Sequence, residues 1–201
     1  MTRPDSSDLG ERTDAAAALR RQAVGLVPGR TIALVGLMGA GKTTIGRRLA
    51  HALDLPFADA DTEIVAAAGR SVEAIFAEHG ECEFRRGERK VIARLLAGPH
   101  HVLATGGGAF IDPRTRALMK ERAISIWLKA PLDVLMKRVS KRDDRPLLKE
   151  DDPRAVMQRL MDERYPIYAE ADLTIETGIG PHNSAVTQIL DALRKQQAVK
   201  A

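Results

Sequence analysis

Aromatic residues and cysteine are scarce in this chain of 201 residues. One Trp, two Tyr and four Phe make up 3% of the sequence, although 44% of the residues are hydrophobic. We therefore expect a core built mainly from aliphatic side chains, and no nucleic-acid surface that depends on stacked aromatic rings. The single cysteine, Cys82, excludes an intramolecular disulfide. This cysteine usage is typical of a reducing compartment.

Long apolar runs are also missing. No stretch approaches the length of about 20 apolar residues that spans a bilayer, so we expect no membrane segment. The first residues contain no hydrophobic stretch of the secretory type, and their acidic side chains argue against an organelle transit peptide. These features predict a cytoplasmic protein. The five histidines show no metal-site spacing.

The net charge is +4 and the isoelectric point is about 9.4. A basic balance is compatible with nucleic acid or with a small anionic ligand. Asp and Glu are interspersed with most of the basic runs, which favours a solvated surface and an anionic small-molecule site. We therefore expect no nucleic-acid partner.

The strongest motif is Gly36–Thr43, which matches the phosphate-binding pattern G-x-x-x-x-G-K-[ST]. It follows an apolar run and opens a helical pattern, which is the context that this loop requires. Its glycines let backbone N–H groups surround phosphate oxygens at the positive end of a helix. We expect Lys42 to reach the β- and γ-phosphates and Thr43 to ligate Mg²⁺. The other predicted nucleotide contacts in this loop are Gly39, Ala40, Gly41 and Thr44.

Apolar runs alternate with helical patterns along the rest of the chain. The predicted strands cover 31–35, 56–59, 101–105, 123–128 and 172–176. The predicted helices cover 42–53, 61–68, 71–79, 81–97, 112–121, 131–139, 153–169 and 182–196. This order predicts an α/β fold with a five-stranded parallel sheet flanked by helices on both faces.

Three further segments have a different character. We expect residues 1–28 to form a flexible extension that ends at Pro28 and Gly29, and residues 197–201 to form a short tail around a domain at 29–196. The charged, aperiodic stretch at about 140–152 predicts a mobile lid between two helices. Arg145 in this stretch could fold over a transferring phosphoryl group.

Two aspartates, Asp59 and Asp61, follow the second predicted strand. If the chain stays extended there, both carboxylates can face the crevice at the carboxyl ends of the strands. One carboxylate near Mg²⁺ and one near an acceptor hydroxyl would suit a kinase. The spacing alone leaves open the alternative that Asp61 only caps the next helix.

A glycine run and three separated arginines complete the candidate site. Gly106, Gly107 and Gly108 directly follow a strand, where the absence of side chains permits close approach of a substrate. The arginines are Arg85, Arg145 and Arg164. A guanidinium is a natural receptor for a carboxylate or a phosphate, but each of these residues alone could equally be a surface residue.

As a set, seven segments between Thr31 and Leu193 resemble the shikimate kinases, whose P-loop fold is that of the nucleoside-monophosphate kinases. The matching segments are GLMGAGKTTIGRRLA (36–50), ADAD (58–61), GRSVEAIF (69–76), ECEFRR (81–86), ATGGGA (104–109), DRPLL (144–148) and DERYPIY (162–168). The resemblance implies that residues 29–196 form a P-loop kinase domain. It implies phosphorylation of the 3-hydroxyl of shikimate by ATP with Mg²⁺, in the route to the aromatic amino acids.

The resemblance also implies a role for each matching residue. Lys42 would stabilise the γ-phosphate, Thr43 would ligate Mg²⁺, and Asp59 would hold the metal through water. Asp61 would bind the shikimate hydroxyls and act as the base, and Arg85 and Arg164 would grip its carboxylate. Backbone groups of Gly106–Gly108 would contact shikimate. Arg145 would reach the phosphates and Arg138 would lie against adenine, with a surface arginine as the alternative for Arg138. Phe84 would pack on the shikimate ring or serve the core.

Two other function classes remain alternatives. A kinase of another small hydroxy acid, such as gluconate, would share the P-loop, but the arginine pair and the glycine run favour shikimate. A non-catalytic nucleotide-dependent regulator would be expected to have lost Lys42, Thr43 or Asp61, and all three are present. We expect a monomer whose partners are shikimate and ATP.

Overall fold

The structure is a computed structural model that describes residues 17–21, 23, 26, 29–140 and 152–200. Arg145 and all of the predicted lid except Ser140 and Asp152 lie outside the described residues, as does most of the predicted N-terminal extension. Within the described part, no helix is both long enough and apolar enough to cross a membrane.

Five parallel strands form the central sheet, in the order β2-β3-β1-β4-β5. They are β1 (Thr31–Val35), β2 (Phe57–Asp59), β3 (Val102–Ala104), β4 (Ala123–Lys129) and β5 (Leu173–Glu176). Every residue of β1 and β3 is buried, which is typical of a parallel sheet with helices on both faces. The predicted α/β class and five-stranded parallel sheet are confirmed.

Among the described residues after Gly29, seven helices connect and cover these strands. They are α1 (Lys42–Leu53), α2 (Ala60–Ala68), α3 (Val72–Leu96), α4 (Pro113–Arg122), α5 (Leu132–Val139), α6 (Pro153–Tyr168) and α7 (His182–Lys200). The two helices predicted over 71–79 and 81–97 meet at Gly80 in α3, whose φ of 74° and ψ of 174° break the helical path. A short 3₁₀ turn, Ala109–Ile111, was not predicted.

Most helices begin at a side chain that the sequence supplies for this purpose. Asp59, Ser71, Asp112 and Asp152 accept hydrogen bonds from first-turn backbone N–H groups of α2, α3, α4 and α6. The start of α1 differs, because its N-cap is Gly41, which has no side chain to offer. Its first-turn N–H groups are therefore oriented for an external acceptor such as a phosphate.

Part of the segment predicted as a flexible extension packs against the domain. Leu19, Ala23 and Leu26 are buried in the same core as the sheet. Arg20 donates from Nε to the carbonyl of His51, near the end of α1, at 3.3 Å. Three apolar side chains in a polar stretch give only a weak helical pattern. The sequence therefore did not predict that this segment packs against the domain.

A second, smaller apolar cluster lies between α2 and α3, around Ile64, Ile75, Phe84 and Val91. Phe84 is 4% exposed, and its ring centroid lies 4.4 Å from that of Phe76. Phe84 is therefore a core residue, the second of its two expected roles. Because Arg85 follows it directly, this cluster fixes where the Arg85 side chain emerges.

Candidate active site

A cleft lies at the carboxyl ends of β1, β2 and β3, where ligands bind in open α/β sheets. The cleft is lined by residues of the P-loop, of the end of β2, of the first turn of α2 and of the glycine run. The lining residues are Met38, Gly39, Gly41, Lys42, Thr43, Thr44, Asp59, Asp61, Thr105, Gly107, Arg138, Val139 and His182. Segments distant in the sequence therefore meet at one site.

The P-loop has the backbone geometry of an anion cradle. Gly36 and Gly41 have φ values of 132° and 96°, which side chains rarely tolerate. A Cβ on Gly36 would lie 2.8 Å from the carbonyl oxygen of Leu128, so no larger residue fits there without movement of β4. The Ala40 side chain points into the core and is fully buried. Inside the loop, the backbone N–H of Ala40 donates to the carbonyl of Leu37 at 3.2 Å. The Ala40 side chain and this hydrogen bond hold the loop in its conformation.

Lys42 and Thr43 lie at the base of this cradle. Lys42 Nζ donates to the carbonyls of Gly36 at 2.8 Å and Leu37 at 3.0 Å, so its ammonium group lies over the loop that would surround a phosphate. The Thr43 hydroxyl donates to Asp59 Oδ2 at 2.8 Å. This hydrogen bond joins the start of α1 to the end of β2 and brings a hydroxyl and a carboxylate together.

The two aspartates have separate positions. Asp59 caps α2, because its Oδ1 accepts from the backbone N–H of Asp61 at 3.1 Å. Asp61 belongs to the first turn of α2, so the chain does not stay extended through both residues, although both border the cleft. The alternative that Asp61 is the cap is also wrong. The Asp61 carboxylate faces the glycine run, where a Cβ on Gly106 would lie 3.0 Å from its Oδ1.

Arg85 and Arg164, which are far apart in the sequence, both contact the glycine run. A Cβ on Gly108 would overlap the guanidinium of Arg85, which therefore lies directly over this glycine. Arg164 Nη1 donates to the carbonyl of Gly107 at 3.4 Å. Gly107 also borders the P-loop, because a Cβ there would lie 3.5 Å from the backbone nitrogen of Met38. The run thus connects the P-loop to the two guanidinium groups.

Arg85 is held by two carboxylates of its own helix. Its Nη1 donates to Glu88 Oε2 at 2.7 Å, and its Nη2 donates to Glu81 Oε1 at 3.2 Å. Glu88 is only 2% exposed, and none of the described residues hydrogen-bonds to its Oε1. That oxygen would lie 2.7 Å from a Cβ on Gly106. Glu88 is therefore a candidate site residue that the sequence did not reveal, although its i, i+3 spacing from Arg85 was an available signal.

Burial and charge set the protonation of this pair. Burial raises the pKa of Glu88, Arg85 opposes that change, and the carboxylates of Asp61 and Asp112 add to it. Burial lowers the pKa of Arg85, but Glu88 and Glu81 outweigh this effect, so its pKa lies above the ordinary value. Arg85 is consequently cationic at every pH at which the protein is folded.

Arg138 and His182 border the cleft on the P-loop side. Arg138 donates from Nη1 to the carbonyls of Gly39 and Ala40, both at 3.3 Å, and from Nη2 to the Gly178 carbonyl at 2.6 Å. Burial lowers its pKa. Arg138 is thus not a solvated surface arginine. His182 was not predicted; burial, Arg138 and Arg48 lower its pKa, so a neutral imidazole faces the cleft at pH 7.

The family match and the curated relatives agree with one another. The family described as shikimate kinase matches residues 38–194. The shikimate kinase of Caulobacter vibrioides is 59% identical over 169 residues, which cover 84% of this chain and 84% of that protein. The shikimate kinase of Paramagnetospirillum magneticum is 56% identical over 165 residues, covering 82% of this chain and 85% of that protein.

Solved structures extend this comparison. Shikimate kinase from Acinetobacter baumannii, solved in complex with shikimate, superposes with a TM-score of 0.82 at 36% identity, covering 87% of this chain and 98% of that one. A gluconokinase from Sinorhizobium meliloti superposes with a TM-score of 0.59 at 17% identity, covering 83% and 93% of the two chains. At that identity the second likeness shows a common fold and nothing more.

Proposed function

The chain belongs to the shikimate kinase family, and from this premise we propose which of its residues carry the transfer of a phosphoryl group from ATP to shikimate. Its activity is that of an ATP-dependent kinase acting on the 3-hydroxyl of shikimate, a step in the biosynthesis of the aromatic amino acids. The observation that carries the assignment of residues is the convergence of Asp61, Arg85 and Arg164 on one glycine run beside the P-loop.

The nucleotide half of the cleft comprises Gly36–Thr44 and Arg138. The backbone N–H groups of the loop and the uncapped start of α1 would bind the phosphates. Lys42 would exchange its loop carbonyls for β- and γ-phosphate oxygens and neutralise charge during transfer. Arg138 holds the P-loop to Gly178 and would present its guanidinium plane to the adenine.

Mg²⁺ fits the donor set formed by Thr43 and Asp59. The hydroxyl and the carboxylate lie within 2.8 Å of each other at the edge of the cradle, and hard oxygen donors are those that Mg²⁺ prefers. We propose that these two residues hold the ion, Thr43 directly and Asp59 through water. Bound there, Mg²⁺ would supply charge neutralisation for the β- and γ-phosphates.

The acceptor half comprises Asp61, Arg85, Glu88, Gly106–Gly108 and Arg164. We propose that Arg85 and Arg164 bind the shikimate carboxylate, since two guanidinium groups converge where side chains are absent. Asp61 would accept a hydrogen bond from the 3-hydroxyl and orient it toward the γ-phosphate. Because phosphoryl transfer is loose, Asp61 would take the proton late, as the new P–O bond forms.

Closure over the site would exclude water, which would otherwise accept the phosphoryl group. Arg145 lies outside the described residues, and its role over the phosphates stays a proposal from the sequence. We further propose that the enzyme works as a monomer, because one chain supplies both halves of the cleft. The cytoplasmic location stays a proposal from the cysteine usage of the sequence. The gluconate alternative loses support, because the likeness to a gluconokinase is confined to the fold.

The test measures ADP release from Mg-ATP with shikimate and gluconate compared side by side. We expect turnover that depends on shikimate and is at least 100-fold faster than with gluconate. Repeating the assay with Mg²⁺ chelated should abolish turnover. Equal rates with both acceptors would contradict the acceptor assignment, and undiminished turnover without a divalent cation would contradict the metal assignment.

A further inference from the structure

The carbonyl of Gly107 accepts two hydrogen bonds from α6. Tyr168 donates to it from its hydroxyl, and Arg164 donates to it from Nη1 at 3.4 Å. The two donors are four positions apart in the helix, so they lie one above the other on the face that meets the glycine run. A single carbonyl of the acceptor half thus has both a phenol and a guanidinium as partners.

The two donors differ in how firmly they are held. Tyr168 is 1% exposed and packs between Phe110, at 6.4 Å between ring centroids, and Trp127, at 6.0 Å. Because the phenol ring is buried in the core, its hydroxyl is held in place. Arg164 is half-buried, carries a long side chain and makes the longer hydrogen bond. Arg164 is therefore the donor that can leave Gly107 when a better acceptor arrives.

A carboxylate is such an acceptor, and its arrival has a consequence for Gly107. If Arg164 turns to the carboxylate of the substrate, the carbonyl loses one of two donors. Gly107 is half-buried, and its carbonyl is turned toward α6. A carbonyl turned away from solvent is costly to leave without any donor, whereas one that keeps a donor is not. A second partner that stays in place thus lets Arg164 move at little cost.

We infer that Tyr168 is a positioning residue, which keeps the Gly107 carbonyl bonded and the glycine run in place while Arg164 exchanges that carbonyl for the substrate carboxylate. The inference rests on the carboxylate-binding role proposed above for Arg164. Burial raises the pKa of Tyr168 to about 12, so its hydroxyl remains a donor throughout the pH range of an assay.

The chain offers a matched control on the same helix. Tyr165 also donates its hydroxyl to a backbone carbonyl, that of Ala130, and its ring also contacts Trp127, at 4.9 Å between centroids. Ala130 lies after β4 and outside the glycine run. Tyr168→Phe and Tyr165→Phe therefore each remove one hydroxyl from the same aromatic cluster, but only the first removes it from Gly107.

The experiment is a double-mutant cycle on the Michaelis constant for shikimate. Tyr168→Phe should raise that constant about 5- to 10-fold, the effect of one hydrogen bond, and change the constant for ATP less than twofold. In an Arg164→Ala background the same substitution should change it less than twofold, since Arg164 is no longer there to leave the carbonyl. The increase should be the same at pH 7 and pH 9. Tyr165→Phe should lower the melting temperature to a similar extent without changing the constant for shikimate.

The results distinguish a failure of the role proposed for Arg164 from a failure of the role inferred for Tyr168. If Arg164→Ala alone leaves the constant for shikimate unchanged, the proposed role of Arg164 is wrong and the exchange falls with it. If Arg164→Ala raises the constant but Tyr168→Phe does not, or if the two effects simply add, the inference about Tyr168 is overturned while the role of Arg164 stands. Equal effects of Tyr168→Phe and Tyr165→Phe would also overturn it.

Discussion

The nucleotide half and the acceptor half of the cleft differ in how many segments of the chain form them. In the nucleotide half, one continuous stretch supplies the loop, the lysine and the hydroxyl, and the lysine is bonded to loop carbonyls. In the acceptor half, α2, α3, α6 and the residues after β3 each contribute side chains or backbone groups. The proposed phosphate site is therefore a local structure, whereas the proposed acceptor site forms only when the whole domain has folded.

The electrostatics of the two halves differ accordingly. The P-loop relies on backbone dipoles and a helix start, which need no counter-charge. The acceptor half holds Arg85 with the buried carboxylate of Glu88, and Asp61 adds further negative charge nearby. These contacts hold the Arg85 guanidinium over Gly108. Substitutions in the acceptor half should therefore affect shikimate far more than ATP.

The largest expected effect separates chemistry from nucleotide binding. Asp61→Asn should lower kcat at least 100-fold, because the amide cannot accept the hydroxyl proton, while ATP still binds. Steady-state turnover and calorimetric titration with ATP measure the two properties. Asp54→Asn is the control, since Asp54 ends α1 with a φ of 55° that asparagine tolerates. Near-normal turnover of the Asp61 variant would remove the base role.

The next effect concerns the carboxylate grip. Arg164→Ala should raise the Michaelis constant for shikimate about 10- to 100-fold, the range for a hydrogen bond to a charged group, with little change for ATP. Arg159→Ala on the same helix is the control, because its side chain is 69% exposed. A change confined to the constant for ATP would mean that Arg164 serves the nucleotide half.

A smaller effect tests the contact between Arg85 and the glycine run. Gly108 has a φ of −100°, so alanine is compatible with its backbone, but a Cβ would displace the Arg85 guanidinium. Gly108→Ala should raise the Michaelis constant for shikimate about tenfold, the loss of about one charge-assisted hydrogen bond.

Gly87, two residues after Arg85, supplies the control for the Gly108 substitution. It lies in α3, where a Cβ would meet nothing within 4 Å. Gly87→Ala should leave the constant for shikimate unchanged and stabilise the protein by about 1 kcal/mol, because alanine favours the helix. Unaltered shikimate kinetics in the Gly108 variant would mean that Arg85 does not need its position over this glycine.

The smallest effect is a pH dependence of stability. Because the folded-state pKa of Glu88 is raised, its favourable contribution is present below the ordinary value of 4.5 and is lost as pH rises through the raised value. The melting temperature of the unmodified protein minus that of Glu88→Gln should therefore decrease from pH 5 to pH 8. Glu83→Gln, whose side chain is 53% exposed, should show no such trend. If this difference in melting temperature increased with pH, the pKa of Glu88 would not be raised in the folded protein.

The contrast between the local nucleotide half and the acceptor half, which several elements form, explains how much could be predicted from the sequence. Lys42 and Thr43 were predicted from one contiguous motif, and the strand and helix order followed from alternating patterns, because these features are local. The glycine run and the arginines gained meaning only as a set. Glu88, Tyr168 and His182 were missed as site residues, because a buried carboxylate, a phenol bonded to Gly107 and an imidazole beside the P-loop are consequences of tertiary packing. The helix predicted to begin at Asp61 begins one residue earlier, at Ala60, because Asp59 caps it.

The most direct test of the acceptor site compares shikimate with its methyl ester, which keeps the hydroxyls but lacks the negative charge. Calorimetric titration of the unmodified enzyme should show about 100-fold tighter binding of shikimate, since two guanidinium groups act on the carboxylate. In Arg164→Ala this preference should fall to about tenfold. Equal affinity of the unmodified enzyme for the acid and the ester would contradict the account, because the two arginines would then not bind the carboxylate.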